Sequence, residues 1–566
     1  MPTLKFNLTE LMQMSNIKDV EKMFHVLKQF KGEIKGFEGD EIIVELEPDR
    51  PDILSMEGLS RAIRNYMNIE VNHNKLKIIS TQPILDVYVR KAYLRPYIAC
   101  AIIKDIEINN SIIRSLMNMQ EALHLTIGRN RKKVAIGIHD YDEIVPPITY
   151  TEVLGDEKMI PLDSNEEMSL NEILEKHPKG KIYSWLIKDS YPVYMDSKGI
   201  FSFPPVINSE RTRVKESTKN IFIELTGIDK RTVSQTLNII VYNILDRGGK
   251  LGYVTIHYPS YDEITPNLKT KNIKIKVKEI NKLLGIRLKA DEVASLLKRM
   301  LYNVTSINMK GEILLEIPPF RVDVIHPVDV IEDVAIAYGY DNILPELPSI
   351  MTIGKPSLIE ILESKIREIM IGMGFQEVMT FTLTNVDTQI SMMNLDEYNN
   401  YNVLKLSNPV TYEYNCYRRW IIPNIMHFIS QNKHATTPQK IFEIGYVAIP
   451  KEERIFVQRN IAVGMTSFKV SFSDIKEVLM ALINKIGLEI YVEPYYHPSF
   501  INGRTAIIKI GERKIGLMGE IHPKVLNNFE IEMPVVAFEI TLCQLSFLLK
   551  NREILTIRDG VIAEWF

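Results

Sequence analysis

The chain has 566 residues, enough for about three to five domains. Hydrophobic residues make up 45% of it and charged residues 25%, the balance of an ordinary globular protein, which excludes a mainly disordered or fibrous chain. The 68 Lys and Arg residues nearly offset the 71 Asp and Glu residues, and the net charge of -3 excludes a global basic field for nucleic acid.

Cysteine usage and hydropathy indicate the compartment. Cys100, Cys416 and Cys543 stand far apart and form no C-x-x-C pair, as is typical of a protein from a reducing environment. The N-terminus lacks the charged-then-apolar pattern of a signal peptide, and no apolar run approaches the ~20 residues that span a bilayer. The sequence therefore predicts a cytoplasmic protein.

An alternation of helix and strand signals predicts a small α/β domain over residues 1–85. Apolar residues recur at helical spacing between 7 and 27, residues 41–47 read as a strand, and Ser55 is placed to cap an amphipathic helix. The polar segments 72–75 and 80–83 are the predicted joints to the next domain.

Residues 86–265 predict a mixed α/β domain, because short apolar strand patterns alternate with two long helix patterns. The predicted strands are 86–89, 98–103, 134–138, 220–227 and 252–256, and the predicted helices are 110–126 and 232–245.

The segment 266–345 has the element order of a winged-helix module. Residues 272–278 alternate strictly as a half-buried strand, two helices follow over 277–284 and 290–300, and Lys310-Gly311 marks a hairpin. Residues 346–566 begin with a helix over 358–373 and continue as regularly spaced strands, which predicts a mainly antiparallel sheet with helices on one side. The fold class is thus α+β with several domains.

Four acids lie within eleven residues: Asp323, Asp329, Glu332 and Asp333. The last three share one helix face, where like charges oppose the helix by roughly 0.2–0.5 kcal/mol, and a hard cation such as Mg²⁺ would remove that repulsion. The alternative is a helix N-terminus begun at Pro327, whose macrodipole favours negative charge by ~0.3–1 kcal/mol for each acid. Spacing alone leaves both interpretations open.

Other polar groups border apolar strands. A basic turn at 128–133 leads into the strand 134–138, which ends at His139 and Asp140, residue types that serve phosphate contacts and acid–base chemistry. Clusters at 208–213 and 224–227 combine polar groups with apolar walls, as ligand pockets do. Ordinary solvated turns explain the same patterns. The sequence contains none of the standard phosphate-loop, dinucleotide or zinc-protease motifs.

Three passages in this order resemble one known family across essentially the whole chain. They are residues 45–62 (ELEPDRPDILSMEGLSRA), residues 318–343 (PPFRVDVIHPVDVIEDVAIAYGYDNI), and residues 442–445 (FEIG) with 516–523 (GLMGEIHP). The family is the β subunit of phenylalanyl-tRNA synthetase. The archaeal and eukaryotic type fits better than the bacterial type, because no oligonucleotide-binding fold interrupts the opening domain and no anticodon-binding domain follows the last one.

The resemblance implies a heterotetramer of two α and two β subunits that charges tRNA(Phe) with phenylalanine. In this family the α subunit uses ATP to activate the amino acid. The last domain, 346–566, is similar to a class II synthetase core that is catalytically silent and supports the α subunit. Arg418-Arg419 and Gly503-Arg504 are similar to arginine-bearing stretches of such cores, but the expected ATP-binding constellation is not evident.

The resemblance also implies site residues. The family binds Mg²⁺ in its B5 domain, here 266–345, through four acids that match Asp323, Asp329, Glu332 and Asp333. Its B3/B4 domain, here 86–265, hydrolyses tyrosine mischarged on tRNA(Phe). A pocket for phenylalanine excludes tyrosine only by about 10², so a second site that recognises the hydroxyl is needed. The expected editing residues, by position, are Asn208, Ser209, Glu224 and Thr226 for the pocket and His139 and Arg131 for the tRNA end.

Three alternative functions are considered for the chain. The chain is expected to be the non-catalytic but essential subunit of the ligase with a hydrolytic editing site. A tRNA-binding or assembly subunit with a degenerate editing site differs from this only in the pocket. A freestanding hydrolase of mischarged tRNA would not need the synthetase-like domain.

Overall fold

The computed structural model describes residues 2–69, 76–188, 190–350, 352–396 and 402–549. The chain divides into two compact units between Leu347 and Pro348. The predicted joint at 72–75 lies outside the described residues. The mixed α/β architecture with several sheets is confirmed, and the finer division into four domains stays a prediction.

The first part of unit one is a three-stranded antiparallel sheet with helices. The strands, in sheet order, are Thr3–Asn7, Glu41–Glu45 and Glu33–Glu38, and the helices are Leu8–Ser15, Val20–Gln29 and Met56–Tyr66. Of these three strands, the apolar pattern of the sequence predicts only the central one, Glu41–Glu45. Glu33–Glu38 is missing from it because that strand has no buried residue and therefore no strong apolar alternation.

Two sheets that pack face to face form the second part. The four-stranded sheet has the order Lys250–Gly252, Tyr97–Lys104, Ile221–Gly227, Val134–Asp140. The seven-stranded sheet has the order Ile207–Asn208, Gly199–Phe203, Tyr191–Asp196, Ile148–Val153, Leu85–Val89, Val254–His257, Asp262–Thr265. The helices are Asn110–Leu125, Leu170–Lys176, Pro178–Tyr183 and Lys230–Leu245, and a small hairpin pairs Lys158–Met159 with Met168–Ser169.

Each face of the four-stranded sheet has its own apolar partner. Ile98, Cys100 and Ile102 point to the seven-stranded sheet. The alternate residues of the same strand, such as Ala101 and Ile103, belong to the cluster that includes the long helices and the first part of the unit. The period-two alternation of a strand with both faces buried produces this arrangement.

The third part of unit one is a three-stranded sheet with three helices. The strands, in sheet order, are Lys271–Lys276, Glu312–Ile317 and Asn303–Ile307, and the helices are Val277–Leu284, Ala290–Arg299 and Pro327–Tyr338. The predicted strand, helix pair and hairpin are confirmed. Lys278 lies in the first helix rather than in the strand, because the helix begins at Val277.

Unit two is built on a second seven-stranded sheet. Its order is Gln376–Glu377, Gln439–Lys451, Arg454–Thr466, Val535–Thr541, Arg513–Ile521, Phe500–Ile510, Tyr491–Pro494, and a small sheet joins Leu383–Thr384, Cys416–Tyr417 and Leu404–Lys405. The helices are Leu358–Gly372, Val386–Gln389, Ile422–Gln431, Phe472–Lys485, Pro523–Asn528 and Leu542–Leu549. All neighbouring strands of the large sheet are antiparallel except the first pair, which confirms the predicted antiparallel sheet.

Helices cover both faces of the sheet in unit two, so the prediction of helices on one side is wrong. Ile461 and Val463 pack with the helices Leu358–Gly372 and Phe472–Lys485. Ala462, on the opposite face, packs with the helix Ile422–Gln431. Over the described ranges, no helix has both the length and the apolar character that a membrane crossing requires.

The helix Met56–Tyr66 is the hub of unit one, since ten of its eleven residues are buried. Its polar side chains bind groups from the second part of the unit. Arg61 donates to Asp246 Oδ2 over 2.7 Å and to Asn243 Oδ1 over 2.8 Å, and Glu57 accepts from Arg247 Nε over 2.7 Å. The hub helix therefore joins two parts of the unit through buried charged groups.

The hub helix also contacts the third part of unit one. The guanidinium of Arg61 lies 4.2 Å from the ring centroid of Phe320. Arg299 donates to the carbonyl of Tyr66 over 2.8 Å and lies 4.4 Å from that ring. The passage 45–62, which carries the family resemblance, is thus a structural centre of the unit.

Gly58 is required where the hub helix meets the preceding turn, because a Cβ atom there would lie 1.8 Å from the carbonyl oxygen of Asp52. We expect Gly58→Ala to lower the free energy of unfolding by about 3 kcal/mol, since neither backbone can yield without breaking the hub contacts. Thermal and urea unfolding of the purified chain measure the loss. The matched control is Gly372→Ala, at an exposed helix position with open space around its Cβ, which is expected to cost nothing. Equal stability of both variants would contradict the assignment.

Candidate functional site

A cavity of about 270 Å³ opens at the edge of the four-stranded sheet in unit one. Its walls are the edge strand Val134–Asp140, the helix Asn110–Leu125 and the segment 202–214. The side walls are mostly apolar and include Leu116, Ile136 and Val206. We call this cavity the edge pocket. Its size and lining are those of a site for one small, largely apolar group with a few polar contacts.

Glu224 provides the charged group of the edge pocket. It lies on the strand Ile221–Gly227 opposite Gly137 and is 1% exposed. Its Oε1 accepts a hydrogen bond from Ser202 Oγ over 2.8 Å. Within the described part of the chain, its Oε2 is buried and has no hydrogen-bond partner. A buried carboxylate oxygen without a partner is costly, so this oxygen is suited to accept a hydrogen bond from a ligand.

The absence of a side chain at Gly137 leaves space for the Glu224 carboxylate. A Cβ at position 137 would lie 2.3 Å from Glu224 Oε1 and 2.8 Å from His139 Nε2. Any side chain there would displace both groups. The glycine therefore keeps the acid and the imidazole in place beside the strand.

His139 is fully buried next to Glu224. Its Nδ1 is 2.8 Å from Thr212 Oγ1, and its Nε2 is 3.8 Å from Glu224 Oε1. The ring packs edge-on against Phe201 at 5.1 Å between centroids. The structure thus places His139 behind the carboxylate rather than at the mouth of the pocket, where contact with a tRNA end was expected.

Side chains cover the outward backbone groups of the edge strand. Asn208 Nδ2 donates to the carbonyl of Ile138 over 3.4 Å, and Gln120 Nε2 donates to the carbonyl of Ile136 over 2.8 Å. His124 Nε2 accepts from the Ile136 N–H over 2.8 Å. The pocket is therefore lined by a strand edge whose polar groups are already partly satisfied, and Asn208 is part of that lining.

Arg131 borders the edge pocket near its exposed rim. Its NH1 donates to the carbonyls of Pro205 and Val206 over 3.1 and 3.0 Å, and its NH2 donates to Glu121 Oε1 over 2.6 Å. The guanidinium also lies 4.1 Å from the ring centroid of Tyr183. These contacts join the basic turn to the segment that covers the pocket.

Ser209 and Thr226 have structural partners instead of lining the pocket. Ser209 Oγ donates to the carbonyl of Ile160 over 3.0 Å. Thr226 Oγ1 accepts from Arg95 Nε over 2.9 Å, and the Thr226 carbonyl accepts from the same guanidinium over 2.7 Å. Burial lowers the pKa of Arg95 to about 10, because the charged guanidinium loses its contact with water. The hydrogen bonds to Thr226 partly replace that contact and stabilise the buried charge.

Four pocket residues were not predicted individually: Ser202, Thr212, Gln120 and Glu121. Ser202 lies inside an apolar run, where a lone hydroxyl residue gives no signal, and Thr212 belongs to the predicted polar cluster 208–213 without standing out from it. Gln120 and Glu121 lie on a predicted helix, but their contacts join residues far apart in sequence. The glycine at 137 inside an apolar strand is the one local signal of a close approach.

The four acids of the predicted metal site have partners of their own. Arg321 is buried and donates to Asp323 Oδ1 over 3.0 Å and to Asp333 Oδ2 over 2.5 Å. Asp329 Oδ2 accepts from the N–H groups of Ile325 and His326 over 2.8 and 2.7 Å, as an acid at a helix N-terminus does.

Glu332 has its ion-pair partner in the first part of the unit. Its Oε1 accepts from Lys31 Nζ over 2.8 Å, a contact with the first part of the unit. Over the residues with described side chains, no three His, Cys, Asp or Glu groups are arranged to hold a metal ion. As folded, the four acids do not fit one shared Mg²⁺ site, because Arg321 and Lys31 supply the cations. The magnesium assignment stays a prediction.

Comparison with protein-family models gives three matches. Residues 343–542 match the phenylalanyl tRNA synthetase beta chain CLM domain, residues 273–340 match the tRNA synthetase B5 domain, and residues 103–241 match the B3/4 domain. Every residue that lines the edge pocket lies within the last of these ranges.

Curated relatives are similar over most of the chain. The phenylalanine–tRNA ligase beta subunit of Archaeoglobus fulgidus is 40% identical over 514 residues, which is 90% of this chain and 92% of the relative. The subunit of Thermococcus kodakarensis is 40% identical, over 88% of this chain and 90% of its own. A crystal structure of an N-terminal fragment of the phenylalanyl-tRNA synthetase beta subunit from Pyrococcus horikoshii aligns with a TM-score of 0.56 at 37% identity. It covers 60% of this chain and all of the fragment.

Removal of the buried guanidinium tests the arrangement of the acids. We expect Arg321→Met to lower the free energy of unfolding by about 3–5 kcal/mol, because Asp323 and Asp333 lose their shared cation. Arg287→Met is the matched control, since Arg287 is exposed between two helices of the same part of unit one. Calorimetry of both variants measures the difference, and a loss below 1 kcal/mol for Arg321→Met would contradict the role. Melting of the unchanged chain with and without EDTA tests the magnesium prediction separately.

Proposed function

Since this chain belongs to the phenylalanyl-tRNA synthetase β-subunit family, we propose that its edge pocket removes tyrosine wrongly attached to tRNA(Phe). The chain is a β subunit of an aminoacyl-tRNA ligase. The observation that carries the editing proposal is the unpaired Oε2 of Glu224 in a pocket whose side walls are mostly apolar.

The chemistry of the pocket suits discrimination between tyrosine and phenylalanine. The two side chains share an aromatic ring, which the apolar walls accept, and differ by one hydroxyl. The tyrosine hydroxyl donates a hydrogen bond to Glu224 Oε2, whereas phenylalanine leaves that carboxylate oxygen without a partner. A site that leaves a buried polar group unpaired rejects such an analogue far more strongly than an apolar pocket does.

Neighbouring side chains hold Glu224 ready for that contact. Ser202 donates to Oε1, which leaves Oε2 as the oxygen available to a ligand. Gly137 leaves space, and His139 with Thr212 supports the acid from behind. Hydrolysis then breaks the bond between the amino-acid carbonyl carbon and the ribose oxygen. Water adds to the carbonyl, and the ribose leaves as an alcohol.

The rim of the pocket suits the tRNA end of the substrate. Arg131 and Lys179 both contact Glu121 Oε1, and Arg131 is expected to orient the ester near the pocket mouth. His139, behind the carboxylate, is assigned a positioning role and not contact with the tRNA.

Unit two is proposed to bind the α subunit and to be catalytically silent. Its exposed apolar side chains include Met379, Phe381, Val410 and Tyr412. Large apolar patches are typical of obligate subunit interfaces. The α subunit supplies the ATP and phenylalanine sites, and two copies of each chain form the ligase that charges tRNA(Phe).

Buried pairs on the large sheet support the silent role. Arg418, which matches an arginine-bearing stretch, is committed to Glu443 over 2.6 Å and to the carbonyl of Tyr446 over 2.8 Å. Glu539 accepts from Asn460 over 2.6 Å and from the N–H of Ile421 over 2.8 Å, and burial raises its pKa to about 7. These groups bind one another instead of forming a nucleotide site.

The editing proposal predicts a specific loss. We expect Glu224→Gln to slow the deacylation of Tyr-tRNA(Phe) by about 10–100-fold in the complex with the α subunit, because the charged acceptor for the hydroxyl is lost. Charging with phenylalanine is expected to stay unchanged. The matched control is Glu175→Gln, an exposed acid outside the pocket. An unchanged complex that fails to deacylate Tyr-tRNA(Phe) would favour an assembly subunit with a degenerate editing site.

The proposed α-subunit surface predicts a loss of assembly. We expect Phe381→Asp to abolish the co-purification of α and β chains and the phenylalanine-dependent charging, because a charge enters an apolar interface. Phe468→Asp, at another exposed phenylalanine of unit two, is expected to leave both intact. Size measurement and charging assays on the co-expressed chains report the outcome. A β chain that remains a monomer beside the α chain would overturn the proposal.

A further inference from the structure

The first strand of the chain, Thr3–Asn7, is an edge of its three-stranded sheet. A cavity of about 480 Å³ lies beside it, and four consecutive residues of the strand, 4–7, line this cavity. Side chains of consecutive strand residues point to opposite faces, so all four reach one cavity along the edge of the strand. We call this cavity the N-terminal groove. It shares no lining residue with the edge pocket.

The hydrogen-bond register of the first strand is fixed at its two ends. Leu8 N–H donates to the Asp40 carbonyl over 2.9 Å, and Leu46 N–H donates to the Pro2 carbonyl over 3.1 Å. Both contacts continue the antiparallel pairing of the first strand with the central strand of the sheet. Hydrogen-bonded and non-hydrogen-bonded pairs alternate along such a ladder. The even-numbered residues of the first strand therefore bond to the central strand.

The odd-numbered residues turn their backbone groups to the open side of the sheet. The N–H and carbonyl groups of Thr3 and Lys5 point away from the central strand, and within the described residues no hydrogen bond reaches them. The Lys5 ammonium group pairs with Glu38 on the far strand, so the side chain extends over the sheet face and not over the edge. An edge with unpaired backbone groups is a template for one more strand.

The helix Asn110–Leu125 forms the wall of the groove opposite the first strand. The lining residues of this helix lie at the three- and four-residue spacing of one face: Ser111, Arg114, Ser115 and Asn118. The groove therefore lies between an open strand edge and a helix face. In β-strand addition, main-chain hydrogen bonds to such an edge hold a peptide, and the surroundings select its alternate side chains.

Arg114 is the charged group of the groove that is available to a ligand. Its side chain is 72% exposed, and its contact with Glu41 is 3.9 Å long, so this exposed pair contributes little. Glu10, a second acid of the lining, already accepts from Arg247 over 2.6 Å and from Ser111 over 2.5 Å. An acidic side chain of a ligand can therefore form a direct charge-assisted hydrogen bond with Arg114.

We propose that the N-terminal groove binds an extended peptide segment of a partner protein, which adds to the first strand as a fourth strand. Main-chain hydrogen bonds to Thr3 and Lys5 hold the segment. Its side chains alternate between two sides, so an acidic residue contacts Arg114 and its neighbours contact the apolar side chains of Leu54 and Met56. The segment thus carries one acid between two apolar residues.

The test uses the full chain and a synthetic probe, the fluorescein-labelled peptide Gly-Gly-Thr-Val-Asp-Val-Thr-amide, whose binding is measured by fluorescence anisotropy. Lys5→Pro removes an N–H from the open edge and no hydrogen bond from the sheet, because that N–H points outward. We expect Lys5→Pro to weaken binding at least about tenfold. Lys5→Thr is the matched control, since it keeps the N–H and loses the same charge, and it is expected to bind like the unchanged chain. Thermal unfolding is expected to be equal for both variants.

A second probe isolates the charge contact. The same peptide with Asn in place of Asp is expected to bind the unchanged chain about tenfold more weakly, because the charged acceptor for Arg114 is lost. In Arg114→Gln the two probes are expected to bind equally. This comparison is made within one variant, so a general loss of stability does not produce it. Hydrogen exchange is expected to slow at residues 2–8 and 110–118 when the first probe binds, which locates the peptide.

The outcomes separate the possible occupants of the groove. Failure of the first probe to bind the unchanged chain, or equal binding by Lys5→Pro and Lys5→Thr, would overturn the addition of a peptide to the first strand. An unchanged chain that is a dimer, and that Lys5→Pro converts to a monomer, would assign the edge to a second copy and overturn the proposal. Equal binding of the two probes by the unchanged chain would overturn the role of Arg114.

Discussion

The buried charged contacts of the hub helix hold unit one together. Burial of Arg61 and Glu57 is tolerated only because Asp246, Asn243 and Arg247 complete their hydrogen bonds. Because these partners lie nearly 200 residues away, the hub helix forms its full set of contacts only when the later parts of the unit have folded onto it. The position of the edge pocket depends on this, since its helix wall, Asn110–Leu125, contacts the hub through Ser115 and Glu57.

The edge pocket forms where the four-stranded sheet ends. The four-stranded sheet ends at Val134–Asp140, and no further strand pairs with that edge in the described structure. A helix and a loop cover it instead, and the space between them is the cavity. A carboxylate from the neighbouring strand reaches this space because the edge strand carries a glycine opposite it. The proposed specificity thus depends on one charged residue, Glu224, and on the missing side chain at Gly137.

The sequence predicted the elements whose apolar pattern is strong. The strict alternation at 272–278 and the long helix at 232–245 appear close to their predicted bounds. The exposed strand Glu33–Glu38 has no such local signal. The helix Ile422–Gln431 has apolar residues at helical spacing, but its pattern does not show which face of the sheet it covers.

The site was predictable only in part. Asn208 and Glu224, which were expected by position, line the edge pocket, whereas Ser209 and Thr226 do not. Thr226 instead accepts a hydrogen bond from the buried Arg95. The spacing of the four acids suggested a shared cation. It could not show that Arg321 lies between two of them or that Lys31, 301 residues from Glu332, neutralises the third.

The covered strand edge has a consequence for solubility. An open edge of hydrogen-bonding groups is a template on which strands of other molecules can add. Gln120, His124 and Asn208 form hydrogen bonds with backbone groups of the strand Val134–Asp140. The residues that shape the pocket therefore also hinder the addition of a foreign strand to this edge. Selection for a soluble chain would therefore preserve much of the pocket wall even in a lineage that no longer needed its chemistry.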